Sequence, residues 1–380
     1  MLLEYGLKNF FGFKEGAVVS FKVPKKISSN DGIARLMCVK GKNASGKTNL
    51  LKALTFLSDF CTKSFQQYEP KDYINIEPFY RNNKPTEFYV EFEGKENTYR
   101  YELELTDEEV IRESLYRKNS RQVKVIERVG NNFTHLISEF RELETIKLRS
   151  NVSFISSYNQ YELESMYTLS EVYNFFNVVL YNVGYSGLIN STIDSNKISE
   201  LLYHSEAMFE FTKEIITSSD TGVKDIIIRK DKDEETGKDK FIPFFVHEVD
   251  NEEHFLPIFA ESSGTKSLYH QLGRYQVVLK LGGILCLDEF DINLHPHILP
   301  KLINLFECDK KNQSGAQLLF TTHNSEIMEY MGKYRTYLVE KENNECFAYR
   351  LDEIPSDIIR NDRAILPLYN SGKLGGVPNL

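Results

Sequence analysis

Apolar and polar positions alternate along the N-terminal stretches LLEYGL and AVVSFKV, and an apolar run, LMCV, follows. Alternation of this kind predicts half-buried strands, and the short continuous run predicts a strand covered on both faces. The period then changes. TNLLKALTFLSDF repeats its apolar residues at helical spacing, so a strand and a helix flank the loop Gly41 to Asn49. Period two returns in FYVEFEG, TYRYELEL, VIRESLYR and VKVIERV, bounded by turn residues such as EGKEN, which predicts an antiparallel β layer.

Near Phe140 the pattern becomes helical and rich in aromatic residues as far as about Ser219. Leu169, Val172, Phe176, Val179 and Leu180 fall at helical spacing, as do Ile198, Leu201, Leu202, Met208, Phe209, Ile215 and Ile216. The charged stretch RKDKDEETGKDK (Arg229 to Lys240) reads as an exposed hairpin tip between DIIIRK and FIPFFVHEV. Two further apolar runs, ILCL and QLLF, end in polar residues. The predicted organisation is an α/β fold in three parts. Residues 1–140 would hold the phosphate-loop half with its β lobe, 141–220 a helical insertion, and 221–380 the second half.

Composition narrows the class. The chain has 380 residues, 41% hydrophobic and 27% charged, as in a globular protein with more than one core. No uninterrupted apolar stretch is long enough to span a bilayer, and the N-terminus lacks the features of a signal peptide, so a cytoplasmic protein without a membrane partner is expected. Five scattered cysteines read as reduced residues, not as a disulfide or metal framework. A net charge of −9 argues against a chain that coats nucleic acid over its whole surface. RKNSRQVKVIER (Arg117 to Arg128) is a candidate basic patch, or else the solvated face of a β-hairpin.

The chemistry begins at GKNASGKTN. Gly41, Gly46, Lys47 and Thr48 match the spacing of a phosphate-binding loop, with Asn43, Ala44, Ser45 and Asn49 completing the cradle. Backbone N–H groups surround the phosphates there, Lys47 reaches the outer ones, and the Thr48 hydroxyl holds Mg²⁺. A nucleoside triphosphate with Mg²⁺ is therefore the expected ligand. Asp288, at the end of ILCL, would complete the magnesium shell, and Glu289 would activate the attacking water. His323, after QLLFTT, would donate to the γ-phosphate. Ser262 and Gly264 open a helix whose free N–H groups can bind an anion.

In this order the pieces resemble the ABC-type ATPase heads, which include SMC-like and OLD-like proteins. GKNASGKT resembles Walker A, ILCLDE Walker B, FDINLHP the D-loop and TTHN the switch-histidine segment. ESSGTK resembles the signature usually written LSGGQ, with Glu261, Ser263 and Thr265 departing from it, so Ser262 and Gly264 are the matching positions. Gln66 and Gln67 lie where a Q-loop is plausible, and neither is assigned.

NASGKTNLLKAL, LDEFDINLHP, ESSGTKSL and LYNSGKLGGVPNL are similar, more narrowly, to stand-alone AAA-type ATPases of prokaryotic phage-defence and abortive-infection systems. The resemblance implies a homodimer paired head to tail, with ATP between Walker A of one chain and Ser262–Gly264 of the other. It also implies a separately encoded effector, a nuclease or Toprim-like protein, and a DNA or phage-protein trigger. The alternative is an SMC-like repair or clamp ATPase acting directly on DNA. The glycine-rich tail Asn370 to Leu380 is expected to dock the companion or a second subunit, with Val377 and Leu380 filling pockets.

Overall fold

The computed structural model describes residues 1–28, 31–161, 167–189, 194–219, 221–233, 237–355, 358–359 and 364–376. The alternating N-terminal segments form β1 (Leu2–Lys8) and β2 (Ala17–Ser20), and the apolar run forms β3 (Leu36–Lys40), buried along its whole length. α1 (Lys47–Gln67) begins inside the phosphate loop. β4 (Thr86–Glu93), β5 (Thr98–Leu105), β6 (Val110–Lys118), β7 (Gln122–Val129) and β8 (Asn132–Leu136) follow as a meander. β1 pairs with both β2 and β4, giving an antiparallel sheet in the order β2-β1-β4-β5-β6-β7-β8. Phe88, Val90 and Phe92 of β4 and Tyr99, Tyr101 and Leu103 of β5 point inward at every second position, into one core with Leu50, Leu54 and Leu57 of α1.

α2 (Phe154–Tyr158), α3 (Tyr167–Asn177), α4 (Ser195–Tyr203) and α5 (Glu206–Thr217) occupy the stretch expected to be helical. Val179 and Leu180 depart from that expectation. They lie in β9 (Val179–Tyr181), which pairs parallel with β15 (Ile284–Leu287). A Val-Val-Leu-Tyr run has strand propensity, and the open edge of β15 supplies the backbone partners that a further helical turn would forgo. A short hairpin, β10 (Val183–Gly184) with β11 (Gly187–Leu188), follows. Residues 141–220 are thus shared between layers: α2 and α3 join the first core, whereas α4 and α5 pack with α6 (Ser263–Leu281) in a second.

β12 (Asp225–Lys232), β13 (Asp239–Val249) and β14 (Glu252–Pro257) form a small antiparallel sheet. β12 and β13 pair as far as Lys232 with Asp239, further into the expected hairpin than the sequence pattern indicated, and residues 234–236 of its tip fall outside the described residues. After β15 come α7 (Leu299–Glu307), β16 (Gln317–Thr321), α8 (Glu326–Met331), β17 (Thr336–Glu342), β18 (Glu345–Arg350) and α9 (Ile365–Asn370).

The central sheet runs β18-β17-β3-β16-β15-β9, parallel except for β18. The runs LMCV of β3, ILCL of β15 and LLF of β16 are apolar because each face of the sheet meets a different core there. Met37, Val39, Cys286 and Leu319 enter the core of the antiparallel lobe; Leu36, Cys38, Leu285, Leu287, Leu318 and Phe320 enter the opposite one. The Gln317 side chain stitches the two sheets together, accepting from Leu2 N at 2.6 Å and donating to Leu2 O at 2.9 Å and Ala34 O at 3.0 Å. The architecture is the expected α/β head with an antiparallel lobe. All five cysteines are free thiols, and among the described residues no helix is long and apolar enough to cross a membrane.

Candidate nucleotide site

The parallel topology brings the carboxyl ends of β3, β16 and β15 side by side, and the polar residues that terminate these strands converge there. The loop after β3 takes its shape from three left-handed residues: Gly46 at φ +108°, Ala44 at +60° and Gly41 at +156°. A Cβ on Gly41 would lie 2.3 Å from the Val339 carbonyl of β17, and one on Gly46 would meet Cys346 Sγ at 2.9 Å. Both glycines are therefore required by φ, and Gly41 also by the close approach of the Val339 backbone. Asn43 and Ala44 are exposed at the tip, while Ser45 is buried. Lys47 folds over the loop, its ammonium donating to Gly41 O at 2.9 Å and Lys42 O at 3.1 Å. Burial holds that ammonium below its ordinary pKa, opposed by the charges of Asp288, Glu289 and Asp291.

Asp288 is the hub. Its Oδ2 accepts from the Thr48 hydroxyl at 2.8 Å and its Oδ1 from the Thr321 hydroxyl at 2.6 Å. An alcohol and a carboxylate meeting at the mouth of a phosphate loop are hard oxygen donors of the kind Mg²⁺ takes alongside phosphate and water. Glu289 adopts φ +50°, a strained conformation for a non-glycine residue. Its N–H donates to Thr321 Oγ1 at 2.8 Å, and its half-buried carboxylate makes no hydrogen bond or ion pair among the described residues. A carboxylate so held and uncommitted is free to take a proton from water.

His323 is exposed, and its main chain is pinned rather than its ring: the N–H donates to the Asp291 carboxylate at 3.1–3.2 Å. It borders a cavity of about 480 Å³ with Lys40, Gly41, Lys42, Asn43, Thr322 and Ser325. Ser262 and Gly264 are at the start of α6 as expected. Ser262 caps it, its Oγ accepting from Thr265 N at 3.1 Å, and a Cβ on Gly264 would lie 2.9 Å from Asn293 O. Among the described residues no hydrogen bond joins this helix start to the phosphate loop of the same chain. Glu261, the departure from the signature pattern, is buried against His247 Nε2 at 2.7 Å.

Comparison with known proteins finds one family and a set of solved structures. Residues 36–329 match the family described as "AAA domain, putative AbiEii toxin, Type IV TA system". The chain belongs to this family. Among solved structures it is similar to the SMC head domain from Thermotoga maritima, at 15% identity and a TM-score of 0.45, with 92% of this chain and 98% of that one covered. It is also similar to an SmcHead bound to the C-winged helix domain of ScpA, at 14% identity and a TM-score of 0.47, covering 93% and 99%. A third is the Smc head domain with an extended coiled coil bound to the C-terminal domain of ScpA from Pyrococcus furiosus, at 12% identity and a TM-score of 0.46, covering 92% and 96%. No curated protein sequence matches.

Three features of this AAA-family chain escape a sequence reading. Asn182, just past β9, brackets Asp288 through both main-chain groups, accepting its N–H at 2.7 Å and donating to its carbonyl at 2.9 Å. Gln66 and Gln67 are instead exposed near the end of α1. Thr321 links Asp288 to Glu289, though only its position at a strand end hinted at a role. The placement of the tail's first residues is the third. Gly376 N donates to Glu340 Oε1 at 2.6 Å, Tyr349 donates to Leu374 O at 2.8 Å, and a Cβ on Gly376 would lie 3.8 Å from Gly41 Cα. Residues 371–376 therefore lie against their own head beside the phosphate loop, because Leu374 finds a core with Leu338, Leu351 and Leu368. Val377 and Leu380 fall outside the described residues.

The basic candidate Arg117–Arg128 also resolves into a hairpin. Arg117 pairs with Glu139 at 2.8 Å, Lys124 with Glu127 at 2.6 Å, and Arg128 is fully buried against Glu113 at 3.0 Å.

Proposed function

We propose that this chain is an ATP-hydrolysing switch that dimerises on binding ATP and controls a separately encoded effector in anti-phage defence. The observation that carries the reading is the hydrogen-bonded line from Thr48 through Asp288 and Thr321 to Glu289. It ties Thr48 and Asp288, which would hold the metal, to the residue that carries an uncommitted carboxylate. Gly41 to Asn49 would cradle the triphosphate, with Thr48 and Asp288 holding Mg²⁺, which would neutralise phosphate charge. Glu289 would take the proton as a water oxygen bonds to the γ-phosphorus and ADP leaves. His323 would donate to the γ-phosphate. Ser262 and Gly264 would contribute from the second chain, in keeping with a helix start that makes no bond to its own phosphate loop. Residues 1–140 and 221–380 would form most of the head, with β9 of the 141–220 stretch completing its central sheet, and the effector would be a nuclease or Toprim-like protein. The family's description as a toxin of a type IV system supports a defence role.

The test is Glu289→Gln. It keeps the side chain's size and removes the base, so ATP should still bind while turnover falls by a factor on the order of 100. The unhydrolysed nucleotide should hold the dimer closed in size-exclusion chromatography. Near-normal turnover in this variant would sink the catalytic assignment.

A further inference from the structure

Lys40 is the last residue of β3 and immediately precedes Gly41. It is 2% exposed, in a strand whose other members are apolar. A buried ammonium is a costly occupant, and burial pushes its pKa down, with the Asp291 charge among those opposing the shift. Its contacts account for its presence. The ammonium donates to the His323 carbonyl at 3.0 Å and to Ser325 Oγ at 3.3 Å, and it sits 5.5 Å from the centroid of the Tyr369 ring.

The His323 peptide is thereby gripped from both sides. Asp291 accepts its N–H, and Lys40 donates to its C=O. The imidazole itself stays exposed at the cavity bordered by Lys42 and Asn43. Since Lys40 adjoins the phosphate loop in sequence, its bond to the His323 carbonyl ties that loop to the main chain that carries the imidazole. Tyr369 shields the ammonium from solvent on the side of the C-terminal helix.

We infer that Lys40 is a positioning residue for ATP hydrolysis: it acts through His323, setting where the imidazole stands over the phosphate loop, and does not itself bind phosphate. The inference rests on reading the site as an ATPase. A displacement of about 1 Å at such a group costs a factor of up to about 100 in rate, so a substantial effect on kcat is expected without one on binding.

The experiment is a double-mutant cycle with Lys40→Met and His323→Ala, measuring kcat, KM for ATP and thermal stability. Lys40→Met should lower kcat about tenfold and leave KM within about twofold. In the His323→Ala background it should change kcat by less than about twofold, because the residue it positions is gone. Lys40→Arg, which retains a charged donor, should recover most of the rate. If Lys40→Met does not fold, Lys40→Gln runs the same cycle with a neutral donor. A raised KM with kcat unchanged would make Lys40 a phosphate ligand, and independent losses in the two backgrounds would detach it from His323; either result overturns the inference. Wild-type turnover with an unimpaired Lys40→Met enzyme would sink this inference alone, whereas a wild-type protein that hydrolyses no ATP would sink the function on which it rests.

Discussion

Replacing Thr321 by valine removes one hydroxyl from the centre of the site and keeps the side chain's branched shape. Two interactions disappear. Asp288 Oδ1 loses its donor at 2.6 Å, and the Glu289 N–H loses its acceptor at 2.8 Å. Thr321 is 1% exposed, so water replaces neither bond readily. A hydrogen bond to a charged group contributes about 1.5–3 kcal/mol, and a buried orphaned N–H costs about 1–3 kcal/mol, so a combined loss of roughly 3 kcal/mol is expected after relaxation. The relaxation bears on function. Glu289 holds φ +50°, a conformation costing about 1–3 kcal/mol that persists only where its surroundings enforce it. Without the bond to Thr321 the backbone can leave that well and carry the carboxylate away from the attacking water. A shift of about 1 Å gives a fall in kcat on the order of 100-fold. ATP affinity should stay within about threefold, because the Thr48–Asp288 bond and the loop are untouched. Phosphate release, nucleotide titration and urea unfolding on Thr321→Val separate these effects, with Thr321→Ser as the hydroxyl-preserving control. A kcat within twofold of wild type, with the stability loss present, would show that Thr321 does not hold the base.

Glu113→Ala should destabilise the antiparallel lobe by about 3–5 kcal/mol, because Arg128 would be left buried and unpaired; urea unfolding measures it, and a loss under about 1 kcal/mol would refute the burial argument. Deleting Ser371 to Leu380 should lower the melting temperature through the lost burial of Leu374, worth about 2 kcal/mol, and weaken ATP binding a few-fold because Gly376 backs Gly41; unchanged values of both would show the tail to be no part of the wall. Raising the pH toward the ordinary lysine range should weaken ATP binding earlier than an ordinary lysine would, because burial lowers the Lys47 pKa; in Lys47→Arg, which stays charged, the decline should flatten. For stability the sign is opposite: the unfolded chain binds that proton more tightly, so this group's contribution to folding rises as the pH climbs from the folded pKa to the unfolded one.

Local pattern determined much of this protein. Period two wrote β4, β5, β6 and β7 into the sequence, and the buried runs of β3, β15 and β16 were legible because a strand between two cores has no polar face to show. The phosphate loop was legible because its glycines, lysine and threonine are contiguous, and Asp288 and Glu289 because they end an apolar run. Tertiary structure decided what depends on distant partners. Asn182 meets Asp288 across 106 positions of chain, and Lys40 meets His323 across 283. Neither residue type announces such a role: an asparagine after a short strand reads as a turn, and a lysine at a strand end as a solvated cap. Val179 and Leu180 read equally well as helix, and only the open edge of β15 made them a strand. Residues 371–376 lie against the head because Leu374 finds a core with Leu338, Leu351 and Leu368, which a glycine-rich composition does not announce. Propensity and periodicity act over a few residues, whereas burial and hydrogen-bond satisfaction are settled by whatever the fold brings alongside.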